Sequence, residues 1–232
     1  MDQPSAEPFT IDVGAPGNVS GLLYRAHGER AGISLLLAHG AGADQHNEFM
    51  VHYAQELARR GVDTATFNFL YTEQGRRTPD RTAQLEACFV AAMTTMLSLP
   101  GLSGQPLFIG GKSMGGRMAT HLAARAEPPS MMGVVALGYP LHPPKEPQNL
   151  RVAHLPSIRV PVLFVQGTRD EFGSPDELRP YLADVKHATL HVVEGADHGF
   201  KVLKRQGVPQ AAVHGAIQDE VLRFMKGVLA RG

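Results

Sequence analysis

The amino-acid sequence predicts an α/β domain: a mostly parallel, doubly wound sheet with helices on both faces, entered through an N-terminal antiparallel hairpin. Three observations carry this expectation. Short apolar runs of strand length alternate with longer stretches of helical period, the pattern of a parallel sheet with crossover helices. The run Ile33 to Ala38 is apolar at nearly every position, as a strand buried on both faces should be. No internal repeat or dividing linker interrupts the 232 residues, so a single domain is expected over 1–232.

Taken in order, Phe9 to Val13 and Val19 to Tyr24 flank Gly14-Ala15-Pro16-Gly17 and read as the hairpin. After the strand Ile33 to Ala38, the stretch Phe49 to Arg60 places Met50, Tyr53, Ala54 and Leu57 on one helical face, with Gly61 to end it. Thr64 to Phe69 reads as a strand. Thr78-Pro79 offers an N-cap and a first-turn proline for a helix carrying Leu85, Phe89, Met93, Met96 and Leu97. Leu107 to Gly110 is a strand and Met114 to Ala126 a helix. Met132 to Leu137 and Val160 to Gln166 are buried strands, the second followed by a helix over Pro175 to Ala183. Thr189 to Val193 is the last strand, and Gln210 to Leu229 the closing helix, with Val213, Ile217, Val221, Phe224 and Val228 on its apolar side. The proline-rich segment Tyr139 to Pro156 is the longest irregular stretch and is too short for a large lid.

Composition narrows the function classes. Lysine plus arginine equals aspartate plus glutamate at 22 each, so no overall field favours nucleic acid or an anionic membrane. No apolar run approaches the ~20 residues of a membrane span. The first residues lack both the basic and the apolar region of a secretory signal. The single cysteine, Cys88, allows no internal disulfide. A soluble, cytoplasmic protein is expected.

The chemistry is carried by Gly111-Lys112-Ser113-Met114-Gly115, a G-x-S-x-G sequence between a predicted strand and a predicted helix. In that context the turn holds its serine in a strained backbone conformation with the hydroxyl projecting above the sheet. The backbone N–H of Met114 then faces the developing oxyanion, helped by the helix N-terminus. A phosphate-binding loop ending in Gly111-Lys112-Ser113 would need glycine where Pro106 stands, and Leu107 to Ile109 reads as strand where that loop should be.

The partners of such a serine follow it in the order acid, then histidine, each past the end of a strand. Asp170 follows the strand Val160 to Gln166, and His198 follows Thr189 to Val193. His198 is expected to take the Ser113 proton while Asp170 orients the imidazole; capping the next helix is the other use open to Asp170. Asp197 is expected to bond the local backbone as a turn residue. His187 and His191 flank a strand and lack the helical arrangement of a zinc site. The loop His39-Gly40-Ala41-Gly42-Ala43 follows the Ile33 to Ala38 strand, where the second oxyanion donor belongs. Ala41 is the best placed, Gly40 or Gly42 being alternatives, and His39 is expected to brace the loop. Arg76 and Arg77 lie at the same end of the sheet and form a candidate fork for a substrate carboxylate or phosphate, unless they are a solvated pair or bond Asp80. Tyr71, Tyr139 and His142 are candidate pocket residues by loop position.

With these residues in view, the chain resembles the dienelactone-hydrolase-like branch of the α/β-hydrolase superfamily. It is most similar to a predicted-hydrolase family with an H-G-A-G-A loop, here His39 to Ala43, and a G-G-[KR]-S-M-G-G-R elbow, here Gly110 to Arg117. Phe67 to Tyr71 through Gly75 to Asp80, and Leu137 to Pro144, match it too, so the resemblance runs from about residue 20 onward. It implies an α/β-hydrolase fold without a large lid, and a serine hydrolase that cleaves a small ester or thioester through an acyl-enzyme with no metal or organic cofactor. Dienelactone hydrolase itself carries a cysteine where Ser113 stands, and Cys88 falls in a predicted helix, so lactone hydrolysis is not the implied reaction. Two alternatives share the sequence: an acyltransferase using the same triad, and a non-catalytic interaction subunit, against which the intact set of residues argues. No pattern speaks to oligomeric state.

Overall fold

A computed structural model of the protein describes residues 5–15 and 17–231. Eight strands form one sheet: β1 (Ala6–Asp12), β2 (Asn18–Tyr24), β3 (Ile33–Ala38), β4 (Val62–Phe67), β5 (Leu107–Lys112), β6 (Gly133–Leu137), β7 (Val162–Gly167) and β8 (Ala188–Val193). Their spatial order is β1-β2-β4-β3-β5-β6-β7-β8. β1 and β2 pair antiparallel, β2 runs antiparallel to β4, and every pairing from β4 to β8 is parallel. The helices are α1 (Glu48–Arg59), α2 (Leu70–Glu73), α3 (Thr82–Ser98), α4 (Met114–Ala123), α5 (Pro175–Leu182) and α6 (Gln210–Leu229).

The two-residue period of the strands builds two separate cores. On β3, Leu36 and Ala38 face one way and join Phe89 and Met93 of α3, Met118 and Leu122 of α4, and Leu178 of α5. Ile33, Leu35 and Leu37 face the other way and join Met50, Tyr53 and Leu57 of α1 with Ile217, Val221 and Phe224 of α6. A strand used on both faces cannot alternate apolar with polar, which is why β3 and β7 are apolar runs.

Two expected elements differ. The helix read from Thr78-Pro79 starts at Thr82, and residues 74–81 are loop. The cause is Asp80: its Oδ2 accepts from the Tyr71 backbone N–H at 3.0 Å and its Oδ1 from Arg76 Nη2 at 2.6 Å, so the segment folds back before it can coil. The strand read as Thr64 to Phe69 lies two residues earlier, because Asn68 and Phe69 turn into α2. That single turn was not expected from the sequence. Its Glu73 carboxylate accepts from the Ser20 hydroxyl at 2.8 Å and from Asn68 Nδ2 at 3.1 Å, tying it to β2. The hairpin turn is closed by Val13 N–H to Gly17 C=O at 3.1 Å; its Pro16 lies outside the described residues. The β6–β7 connection, 138–161, carries one turn of 3-10 helix, Leu155–Ser157, and no lid domain among the described residues. No described helix is long and apolar enough to cross a membrane.

Candidate active site

Ser113 is the N-cap of α4 and follows β5 directly, with φ 51° and ψ −114°. That left-handed backbone is costly for a residue with a Cβ. It is held by the Ser113 N–H donating to Leu137 C=O at 2.9 Å and by the close packing of strand and helix on either side. A Cβ on Gly111 or on Gly115 would lie 2.2 Å from the Ala38 carbonyl oxygen, so both positions must be glycine for β3, β5 and α4 to meet. The His39–Ala43 loop crosses the same point: a Cβ on Gly40 would lie 3.5 Å from the Ser113 Cβ. His39 is fully buried. Its Nδ1 lies 2.8 Å from the Gly40 carbonyl and its Nε2 accepts from the Phe69 N–H at 3.2 Å, so the ring is the neutral Nδ1–H tautomer and braces the loop. Burial holds its pKa below the ordinary value.

Asp170 sits three residues past β7 with a side chain fully removed from solvent. Its Oδ2 lies 2.8 Å from His198 Nδ1 and accepts from Gln166 Nε2 at 2.9 Å; its Oδ1 accepts from the Phe172 N–H at 2.9 Å. The carboxylate oxygens accept from every one of these neighbours, an arrangement that places the His198 ring proton on Nδ1. Nε2 is left as the free base. The Phe172 ring lies over the imidazole at 4.2 Å. Asp197 does not join this pair: its Oδ1 accepts from the Gly199 and Lys201 N–H groups, both at 2.9 Å, as a turn residue.

Ser113 and His198 line one cavity of about 440 Å³, together with Gly40, Ala41 and Met114. The other candidates lie elsewhere. Tyr139 is buried beneath the cavity, and its hydroxyl donates to the Arg151 carbonyl at 2.5 Å, so it is not a lining residue. Tyr71, Arg76 and Arg77 line a second cavity of about 300 Å³ that shares Ala43 and Asn47 with the first. Arg76 is committed to Asp80, which removes half of the expected fork. His142 hydrogen-bonds through Nδ1 with the Pro143 carbonyl at 2.8 Å, away from Ser113.

The structure adds residues that the sequence reading passed over. Gln166, the last polar residue of a strand run, is fully buried. It accepts from the Tyr139 N–H at 2.8 Å and donates to Asp170 and to the Gly173 carbonyl, joining both strand ends under the acid. Arg117 and Arg151 line the Ser113 cavity. Arg117 follows Ser113 by one helical turn, a spacing that puts both on one face.

Lys112 is the fourth. Its stem keeps some exposure, but its ammonium nitrogen has none and finds no hydrogen-bond partner among the described residues. The nitrogen lies 5.9 and 5.6 Å from the ring centres of Phe49 and Phe200. Burial lowers its pKa from 10.5 to about 8, against the pull of Asp170 and Asp197. Because the folded value is the lower one, the unfolded chain binds more protons between pH 8 and 10.5, and stability rises with pH across that window. Lys112→Met removes the titration. It is expected to be more stable than the wild type at pH 7, by at most about 3 kcal/mol, with the difference shrinking as pH rises from 8 toward 10.5. Urea denaturation at pH 7, 9 and 10 measures this, and a constant difference would contradict it.

A sheet of this order with a strained serine after β5 and a buried acid–histidine pair past β7 and β8 defines a class, the α/β-hydrolases. The chain belongs to the α/β-hydrolase domain family, whose model matches residues 31–226. Among solved structures it is similar to an α/β serine hydrolase without lid from Xanthomonas campestris, at 19% identity over 97% of both chains with a TM-score of 0.74. A dienelactone hydrolase from Anabaena variabilis shares 23% identity over 94% of this chain and 97% of that one, with a TM-score of 0.71. A cold-adapted esterase from an Arctic intertidal metagenomic library shares 18% over 95% and 98%, with a TM-score of 0.66.

Proposed function

We propose that Ser113, His198 and Asp170 act as nucleophile, general base and orienting acid, and that the protein cleaves a small ester or thioester through an acyl-enzyme. The observation that carries this reading is the His198–Asp170 pair at 2.8 Å, with its imidazole opening into the same cavity as the strained Ser113. His198 Nε2 takes the hydroxyl proton as Ser113 Oγ bonds to the carbonyl carbon. The carbonyl π electrons move to oxygen, and that oxyanion is received by the backbone N–H groups of Met114 and Ala41. Loss of one such donor typically costs about 3 kcal/mol of transition-state stabilisation. As the tetrahedral intermediate collapses, His198 returns the proton to the departing alkoxide or thiolate. Water then repeats the sequence on the acyl-enzyme, releasing the acid and restoring Ser113.

The test is a pre-steady-state time course with 4-nitrophenyl acetate. A burst of nitrophenolate equivalent to one site per chain, with an acetyl group on Ser113 found by peptide mass spectrometry, is expected. Turnover with the acyl group on another residue would overturn the assignment.

A further inference from the structure

Among the described residues, two arginines in the Ser113 cavity have no anionic partner. Arg117 projects from the first turn of α4; its Nε is buried without a hydrogen-bond partner, and no carboxylate pairs with its guanidinium among the described residues. Arg151 comes from the 138–161 connection, and its one side-chain hydrogen bond among the described residues is a long contact from Nη1 to the Pro140 carbonyl at 3.4 Å. The two charges repel: burial first, and then Arg151, lower the pKa of Arg117. Lys112 and His198 line the same cavity, and His121 and His154 stand behind Arg117 with their own pKa values lowered partly by its charge. Among the described residues Asp80 is the one carboxylate lining the cavity, and Arg76 and the Tyr71 N–H already hold it.

A guanidinium partly withdrawn from water, as those of half-buried Arg117 and Arg151 are, is normally answered by a carboxylate or phosphate, whose oxygens match its planar fork. Here the protein brings two together beside its nucleophile and leaves both unanswered. We infer that Arg117 and Arg151 form an anion subsite of the Ser113 cavity, and that the ester cleaved there carries a carboxylate a few bonds from the scissile carbonyl. This deepens the proposed hydrolase function and rests on it for the identity of the reaction, though not for the anion site. The Arg117 N–H donates to the Ser113 carbonyl at 3.0 Å, so the two residues are one turn apart, about 6 Å along the helix axis. Both line the same cavity of about 440 Å³, which has room for the half-ester of a short dicarboxylic acid. Arg77, the uncommitted member of the expected fork, lines the neighbouring cavity instead.

Two measurements test this on wild type, Arg117→Gln and Arg151→Gln. The first is calorimetric titration with glutarate and, separately, with inorganic phosphate. The second is the ratio of kcat/KM for 4-nitrophenyl hemiglutarate to that for the neutral 4-nitrophenyl valerate. Glutarate is expected to bind the wild type at least tenfold more tightly than either variant, and the ratio to fall at least tenfold in each. Should Arg117→Gln not fold, Arg151→Gln, on the irregular connection, carries the test alone. No glutarate binding to the wild type, equal binding to the variants, or a uniform rate loss that leaves the ratio unchanged would overturn the subsite. Binding of phosphate but not glutarate would overturn the carboxylate assignment. Arginine-dependent glutarate binding without turnover of either ester would overturn the hydrolase reading and leave the subsite standing.

Discussion

Ser113→Ala is expected to lower kcat/KM on any ester substrate by about ten-thousand-fold or more while leaving the fold intact. The two halves of this expectation have different origins. The hydroxyl is the atom that forms the acyl bond in the proposed reaction, and water positioned by the remaining groups replaces it poorly. The fold does not need it: the Ser113 side chain makes no capping hydrogen bond to α4, and the backbone N–H that fixes the turn to Leu137 remains in alanine. The positive φ burdens serine and alanine alike. Melting temperatures within about 2 °C, an energy difference below about 1 kcal/mol for a domain of this size, together with the collapse in rate, check both halves.

Asp170→Asn is expected to lower kcat by a similar factor, about ten-thousand-fold, with a smaller effect on KM. All three neighbours of the carboxylate donate to it: Gln166 Nε2, the Phe172 N–H and His198 Nδ1. An amide brings two N–H groups into a place built only from donors. With the amide oxygen kept on the Phe172 N–H, its nitrogen takes the Oδ2 place against His198, and the ring turns to the tautomer protonated on Nε2. Nε2 then cannot accept the Ser113 proton. A buried donor left unpaired also destabilises by about 1–3 kcal/mol, so the melting temperature should fall, in contrast to Ser113→Ala. Steady-state kinetics beside thermal denaturation distinguishes the two variants.

What the sequence makes legible follows from how local each constraint is. β3 and α6 are read to the residue, because a short apolar run ends at His39-Gly40 and Pro209 stops the chain from coiling before Gln210. The positions of Ser113 and Asp170 past strand ends are legible for the same reason, since largely apolar runs lead into them, and that of His198 because it follows the β-branched-rich run Thr189 to Val193. The start of α3 is not: Thr78-Pro79 satisfies the local rule for a helix start, and a tertiary tie from Asp80 to Tyr71 and Arg76 overrides it. Tyr139 and Arg151 belong to the irregular 138–161 connection, where no periodicity says which side chain turns inward. Tyr139 goes under the cavity and Arg151 into its wall. Gln166 is hidden by its strand, because an apolar run gives no sign that its terminal amide will hold the acid.

The most direct test of the account is covalent labelling by a fluorophosphonate, read by peptide mass spectrometry on the wild type and on Ser113→Ala. Such a probe reacts with a serine only when a neighbouring base takes its proton and an oxyanion site receives the phosphoryl oxygen. One adduct per chain is expected, on Ser113, absent from the alanine variant and strongly slowed in Asp170→Asn. A folded wild-type protein that takes up no probe, or takes it up on another residue, would contradict it.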